Sequence, residues 1–243
     1  MNIKTVRLDK FISNSGLISR RSTKKLLVDQ NVTVNGNRVK EVGTRIDPLN
    51  DKVAINGKLI IPNQLVYYLL NKPKGYISTT SDELGRENVT ALIDTKLRIY
   101  PMGRLDKDTH GLLILTNDGQ LTHKLIHPKY HIAKTYKLVL ANAPSQRQLR
   151  LLSEGVNLDD GRTLPAKVSV EKQSNLKTTL LVTIYEGRNR QIRRMCDALG
   201  LNLIDLSRIS FGPLALGRLK SGQYRILTKK EVDQLKKATE QKH

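Results

Sequence analysis

The stretch Gly103-Arg104-Leu105-Asp106-Lys107-Asp108-Thr109-His110-Gly111 sets a carboxylate, Asp106, among cations inside a loop flanked by glycines. A carboxylate held in this way can act as a nucleophile or as a base. The same residue type also caps turns, and the local chemistry leaves both readings open. Tyr136 stands in an alternating strand pattern, where a tyrosine half-fills a core, and Leu206 reads as a core residue. Arg188, Arg190, Arg193 and Arg194 crowd the start of a helical stretch. Earlier in the chain Arg20, Arg21, Lys24 and Lys25 share a helix that Ser19 precedes. Basic groups at a helix N-terminus suit phosphate oxygens, and they also make an ordinary solvated face.

Other candidates carry less. On a continuous helix His123, His127 and His131 would align three imidazoles, but Pro128 interrupts that helix and neither cysteine nor a carboxylate motif joins them. No metal site is expected. Cys196 beside Met195 reads as a core thiol, and no glycine-rich phosphate loop supports a nucleotide cofactor. No cofactor of any kind is expected.

The elements that must position these residues read as two parts. Up to residue 62 the pattern is two short helices followed by small strands. Leu8, Phe11 and Ile12 make one apolar face, Leu26 and Leu27 another, and Val32-Thr33-Val34-Asn35-Gly36 and Val53-Ala54-Ile55-Asn56-Gly57 are strands running into Asn-Gly turns. From residue 63 to 243 the pattern is longer in range. Strands are expected over 66–70, 136–140 and 180–185, and helices over 88–93, 119–126, 145–154, 190–199 and 229–237. Strands and helices interleave without strict alternation, so the expected class is α+β.

Composition narrows the function. The chain has 42 Lys and Arg against 22 Asp and Glu, a net charge of +20, and both parts are basic, which points to a polyanionic partner. Nucleic acid fits better than a membrane surface, because there is no Trp and only 2 Phe to anchor an amphipathic helix. Apolar runs such as 65–70 and 112–115 are strand-sized, too short to span a bilayer. One cysteine excludes an internal disulfide, the N-terminus shows no apolar secretory segment, and a cytoplasmic monomer is expected.

Two resemblances sharpen this. Residues 5–60 resemble the S4 RNA-binding domain through Leu8-Asp9-Lys10-Phe11, Ser19-Arg20-Arg21, Val32 to Gly36 and Val53 to Ile60. That implies structured-RNA binding, with Arg20, Arg21, Lys24 and Lys25 on phosphates. Residues 66–228 resemble the pseudouridine synthases, in the branch that includes the small- and large-subunit ribosomal RNA enzymes. The matching segments are Asn71-Lys72-Pro73-Lys74-Gly75-Tyr76, the Asp106 loop followed by Leu112 to Leu115, Lys134-Thr135-Tyr136-Lys137-Leu138-Val139, Glu186 to Met195, and Leu206-Ser207-Arg208-Ile209. The expected architecture is therefore a small N-terminal S4 domain followed by a mixed-sheet catalytic domain.

The second resemblance implies that Asp106 is the catalytic residue and Arg193 its basic partner. Tyr136 lies against the target base and Leu206 walls its other face. Arg104 holds a phosphate of the flipped nucleotide, and Arg188, Arg190 and Arg194 add RNA contacts. The implied reaction isomerises a uridine in ribosomal RNA without gaining atoms. Residues 129–136 and 188–191 resemble the large-subunit type, which implies 23S RNA, free or in an assembling subunit. A 16S enzyme, and a non-catalytic S4-domain protein of ribosome assembly, are the alternatives.

Overall fold

A computed structural model of the chain describes residues 5–16, 20–29, 31–41, 43–80, 85–174 and 176–240. The chain divides into two compact units, Met1–Val66 with Thr95–Arg98, and Tyr67–Asp94 with Ile99–His243.

In the first unit β1 (Val6–Arg7) leads into α1 (Leu8–Asn14) and α2 (Arg20–Asp29), followed by β2 (Val32–Val34), β3 (Asn37–Arg38), β4 (Arg45–Ile46), β5 (Val53–Ile55) and β6 (Lys58–Leu59). β1 pairs with β4, and the other four form an antiparallel sheet in the order β3-β2-β5-β6. Both Asn-Gly pairs turn their hairpins with positive φ, 51° and 83° at Asn35 and Gly36 and 50° and 78° at Asn56 and Gly57. That is the backbone twist a two-residue hairpin needs. Leu8, Phe11 and Ile12 recur at helical spacing and pack with Leu27, Val32, Ile46 and Val53 into one core. Ser19, which precedes α2 in the sequence, and the side chains of Arg20, Arg21 and Lys24 lie outside the described residues; Lys25 is exposed.

The second unit is built on a mixed sheet. In chain order its strands are β7 (Tyr67–Lys72), β8 (Tyr100–Pro101), β9 (His110–Thr116), β10 (Lys134–Leu140), the short pair β11 (Asn157–Leu158) and β12 (Gly161–Arg162), then β13 (Lys167–Gln173), β14 (Thr178–Ile184), β15 (Leu203–Phe211), β16 (Leu214–Ala215) and β17 (Tyr224–Ile226). The principal order is β13-β14-β10-β15-β9-β7-β17, antiparallel except for the parallel pair β15–β9. The protein is thus α+β.

Its helices are α3 (Gly119–Ile126), α4 (Gln146–Glu154), α5 (Gln191–Ala198) and α6 (Lys229–Ala238). Capping boxes start two of them, Ser145 with Gln148 and Thr228 with Glu231, and Asp118 caps α3. The helix expected over 88–93 is a single 3-10 turn, Val89–Leu92. Asn88 caps it through the Thr90 N–H, and Ile93 is already extended, so no second turn follows.

Candidate active site

The parallel pair is what brings distant motifs together. Gly111 lies opposite Arg208 in the β9–β15 register, and a Cβ on Gly111 would meet the Arg208 carbonyl oxygen at 2.3 Å. With φ at +105°, only glycine fits. The loop that precedes β9 therefore reaches the sheet beside β15 and β10. The resulting cavity, about 420 Å³, is lined by Arg104, Leu105, Asp106 and Thr109 from the loop. Lys134 and Tyr136 line it from β10, Ile184 from β14, and Leu206, Arg208 and Phe211 from β15. Arg188, Arg190 and Ile192 close another side.

The Asp106 turn is braced by backbone. Thr109 N–H donates to the Asp106 carbonyl at 3.1 Å, Gly75 N–H to that of Lys107 at 2.9 Å, and the Ser78 hydroxyl to that of Leu105 at 2.9 Å. Beneath the turn Lys72 is fully buried. Its Nζ donates to the carbonyls of Asp106 (3.1 Å), Lys107 (3.3 Å), Thr109 (2.8 Å) and Pro73 (3.0 Å). Burial lowers its ammonium to about 8, against the opposing pull of the Asp106 and Asp108 carboxylates. Lys72 was not singled out from the sequence. Its signal there is a lysine that closes a strand opened by Tyr67-Tyr68-Leu69-Leu70.

Arg193 reaches this turn, though not as expected. Its Nη2 donates to the Asp108 carbonyl at 3.1 Å and contacts the Thr109 hydroxyl at 3.4 Å, and its Nε is buried without a partner. No ion pair joins it to Asp106 among the described residues. The guanidinium holds the backbone of the turn instead of the carboxylate. Asp205 pairs with Lys74 and accepts a hydrogen bond from His110 Nε2 at 2.9 Å. Burial opposes its ionisation, but the hydrogen bonds from Lys74 and His110 hold the carboxyl below its ordinary range.

Two of the arginines expected on RNA are committed within the protein. Arg188 spends its guanidinium on Glu186 (3.0 Å), the Asp160 side chain (3.2 Å) and the carbonyls of Gly161 (2.8 Å) and Arg162 (2.6 Å). Arg194 pairs with Asp159 and, at 2.7 Å, with Asp160, holding the Asp160 carboxyl down at about 2. Arg194 fastens the β11–β12 hairpin to α5 and Arg188 fastens it to the segment before α5, and both have few donors left for phosphate. Arg190, at the N-cap with φ +47°, and Arg104 are exposed at the cavity.

Tyr136 and Leu206 are both buried, at 9% and 3% exposure, and rise from adjacent strands into the cavity. Arg208 and Lys134 lie beside them and were likewise not singled out. Cys196 is buried, and burial pushes its thiol up to about 12, as suits a core residue. No helix among the described residues is long and apolar enough to cross a membrane.

Comparison with known proteins agrees with the arrangement of a small N-terminal module followed by a mixed-sheet domain. The RNA pseudouridylate synthase family matches residues 66–198, and the S4 domain matches residues 6–53. The chain is 43% identical over 95% of both chains to ribosomal large subunit pseudouridine synthase B of Bacillus subtilis (strain 168). It is 36% identical to the dual-specificity RNA pseudouridine synthase RluF of Escherichia coli (strain K12), over 97% of this chain and 80% of that one. A solved structure described as a crystal structure of pseudouridylate synthase superposes with a TM-score of 0.67 at 33% identity, covering 95% of this chain and 99% of that one. The class is therefore an RNA-modifying isomerase with an S4 domain. The chain belongs to the RNA pseudouridylate synthase family.

Proposed function

We propose that this enzyme isomerises a uridine of 23S ribosomal RNA to pseudouridine, with Asp106 as its catalytic residue. The observation that carries the reading is the shared cavity: a carboxylate on a braced turn faces a space walled by Tyr136 and Leu206. A base that must turn over cannot stay stacked, so the nucleotide is extruded into this space. Tyr136 covers one face of the uracil and Leu206 the other. Asp106, ionised, acts on the ribose carbon, the uracil ring or a ribose proton. Arg193 and Lys72 are positioning residues that set the backbone of its turn.

Residues 63–243 form the catalytic domain and residues 1–62 the RNA-binding S4 domain, which holds structured RNA by phosphate and shape. Arg20, Arg21, Lys24 and Lys25 serve there, and Arg104 and Arg190 hold phosphates at the mouth of the cavity. The enzyme works as a monomer in the cytoplasm, where ribosomal RNA is its partner. Support for the large-subunit substrate is the similarity to the Bacillus subtilis enzyme of that name.

The test is tritium release from 5-tritiated uridine in 23S and, separately, 16S transcripts. Release from 23S RNA alone, lost in Asp106→Asn with RNA affinity retained, is the expected result. Release from 16S RNA alone would refute the substrate, and an active Asp106→Asn would refute the catalytic assignment.

A further inference from the structure

Arg208 and Lys134 are two further cations in the lining of the cavity. Arg208 lies opposite Tyr136 in the β10–β15 register, and both residues line the cavity that holds Asp106. Arg208 is only 3% exposed. Its Nε donates to the Leu112 carbonyl at 2.8 Å, while its Nη2 is buried with no hydrogen-bond partner. Lys134 is two residues from Tyr136 along β10, on the same face, and its Nζ donates to the Ile132 carbonyl at 2.8 Å. Burial, and then the charge of Arg208, bring its ammonium down to about 8, so the two cations feel each other.

Neither cation has a carboxylate ion pair among the described residues. Glu186, whose charge reaches Lys134, is taken up by Arg188, the Gln191 amide and the Leu164 N–H. Like charges buried side by side are unfavourable in themselves. Such a pair is useful where negative charge develops during a reaction.

In the isomerisation that place is the base. The N1–C1′ bond breaks with its electron pair left on the uracil, spread over O2 and O4. C5 then bonds to C1′, the C5 proton leaves to solvent and N1 takes up a proton, so nothing is oxidised or reduced. We propose that Arg208 Nη2, with Lys134 beside it, donates to a uracil carbonyl oxygen and stabilises the negative charge on the detached base. Arg208 is then a second catalytic residue. This inference rests on the cavity being the uridine site.

The experiment uses the full-length protein and a transcript carrying the modified position as uridine or as 5-fluorouridine. Fluorine withdraws electrons and makes the base a better leaving group, so a base bearing it needs less help from the protein. Loss of the substrate nucleoside is followed in single turnover by digestion and chromatography, and RNA affinity by filter binding. Arg208→Gln should slow the uridine substrate about 100-fold with affinity within about threefold. Its loss on the 5-fluorouridine substrate should be at least about tenfold smaller, and Arg208→Lys should recover about tenfold or more. If Arg208→Gln does not fold, Lys134→Gln should show the same smaller loss on the fluorinated RNA. Equal losses on the two RNAs, a loss of affinity that accounts for the loss of rate, or an unimpaired Arg208→Gln would overturn the inference. A wild-type protein that releases no tritium would instead overturn the reading of the cavity.

Discussion

Lys72 sits directly beneath the turn that carries Asp106, its ammonium 3.1 Å from the Asp106 carbonyl oxygen and 2.8 Å from that of Thr109. The carboxylate is thus aimed through its own backbone. With Arg193 gripping the Asp108 carbonyl from another direction, the turn is fixed by cations that leave the carboxylate itself to the cavity.

Lys72→Met keeps most of the buried stem and removes the donor from four carbonyls. Leaving buried acceptors unpaired costs about 1–3 kcal/mol, and that loss should appear in the denaturant midpoint. Turnover should fall at least about tenfold further than RNA affinity, because a turn displaced by a fraction of an ångström misplaces the reacting group. A variant as stable and active as wild type would show that the bracing is dispensable.

Gly111→Ala tests the close approach of β9 to β15. The added methyl meets the Arg208 carbonyl oxygen at 2.3 Å and the backbone is held at φ +105°, so strain and overlap act together. The expected cost is about 3 kcal/mol or more. It would be read as a lowered melting temperature or as loss of soluble protein. An unshifted melting temperature would mean that the two strands can separate freely there.

The arginines near α5 should divide by partner. Arg190→Ala should lower the slope of log affinity against log salt by about 1, as loss of one phosphate contact does. Arg194→Ala should leave that slope unchanged and lower stability instead, because its guanidinium is bound to Asp159 and Asp160. Equal slopes for the two variants would contradict this division.

The same arginines show what was legible in the sequence. Hairpins at Asn35-Gly36 and Asn56-Gly57, and the helix begun by Ser145, are set by residues adjacent in the chain, and reading along the chain finds them. The Asp106 loop was visible for the same reason. Arg194 misled because its acidic partners Asp159 and Asp160 lie about thirty residues upstream, on a hairpin with little pattern of its own, and Arg188, besides its neighbour Glu186, is held by that same hairpin. Lys72 and Arg208 were passed over because a charged residue in an apolar strand has meaning only once its buried partners are known. Those partners are backbone carbonyls, which every residue type carries.

Lys134 offers a test of proton linkage. In the folded protein, burial and the neighbouring Arg208 charge bring its ammonium from the ordinary 10.5 down to about 8. Between those values the unfolded chain binds the proton more tightly than the folded one, so the free energy of unfolding rises with pH across that window. Below the folded value the buried charge is a constant penalty; above the unfolded value it is gone. Lys134→Met removes the group and the penalty together. The stability of wild type relative to Lys134→Met should therefore be least at about pH 7 and improve by about pH 9.5, with the sign fixed by linkage. Urea unfolding of both proteins at the two pH values measures it. A difference that stays constant, or that moves against wild type as pH rises, would mean that the Lys134 ammonium is not disfavoured where it lies.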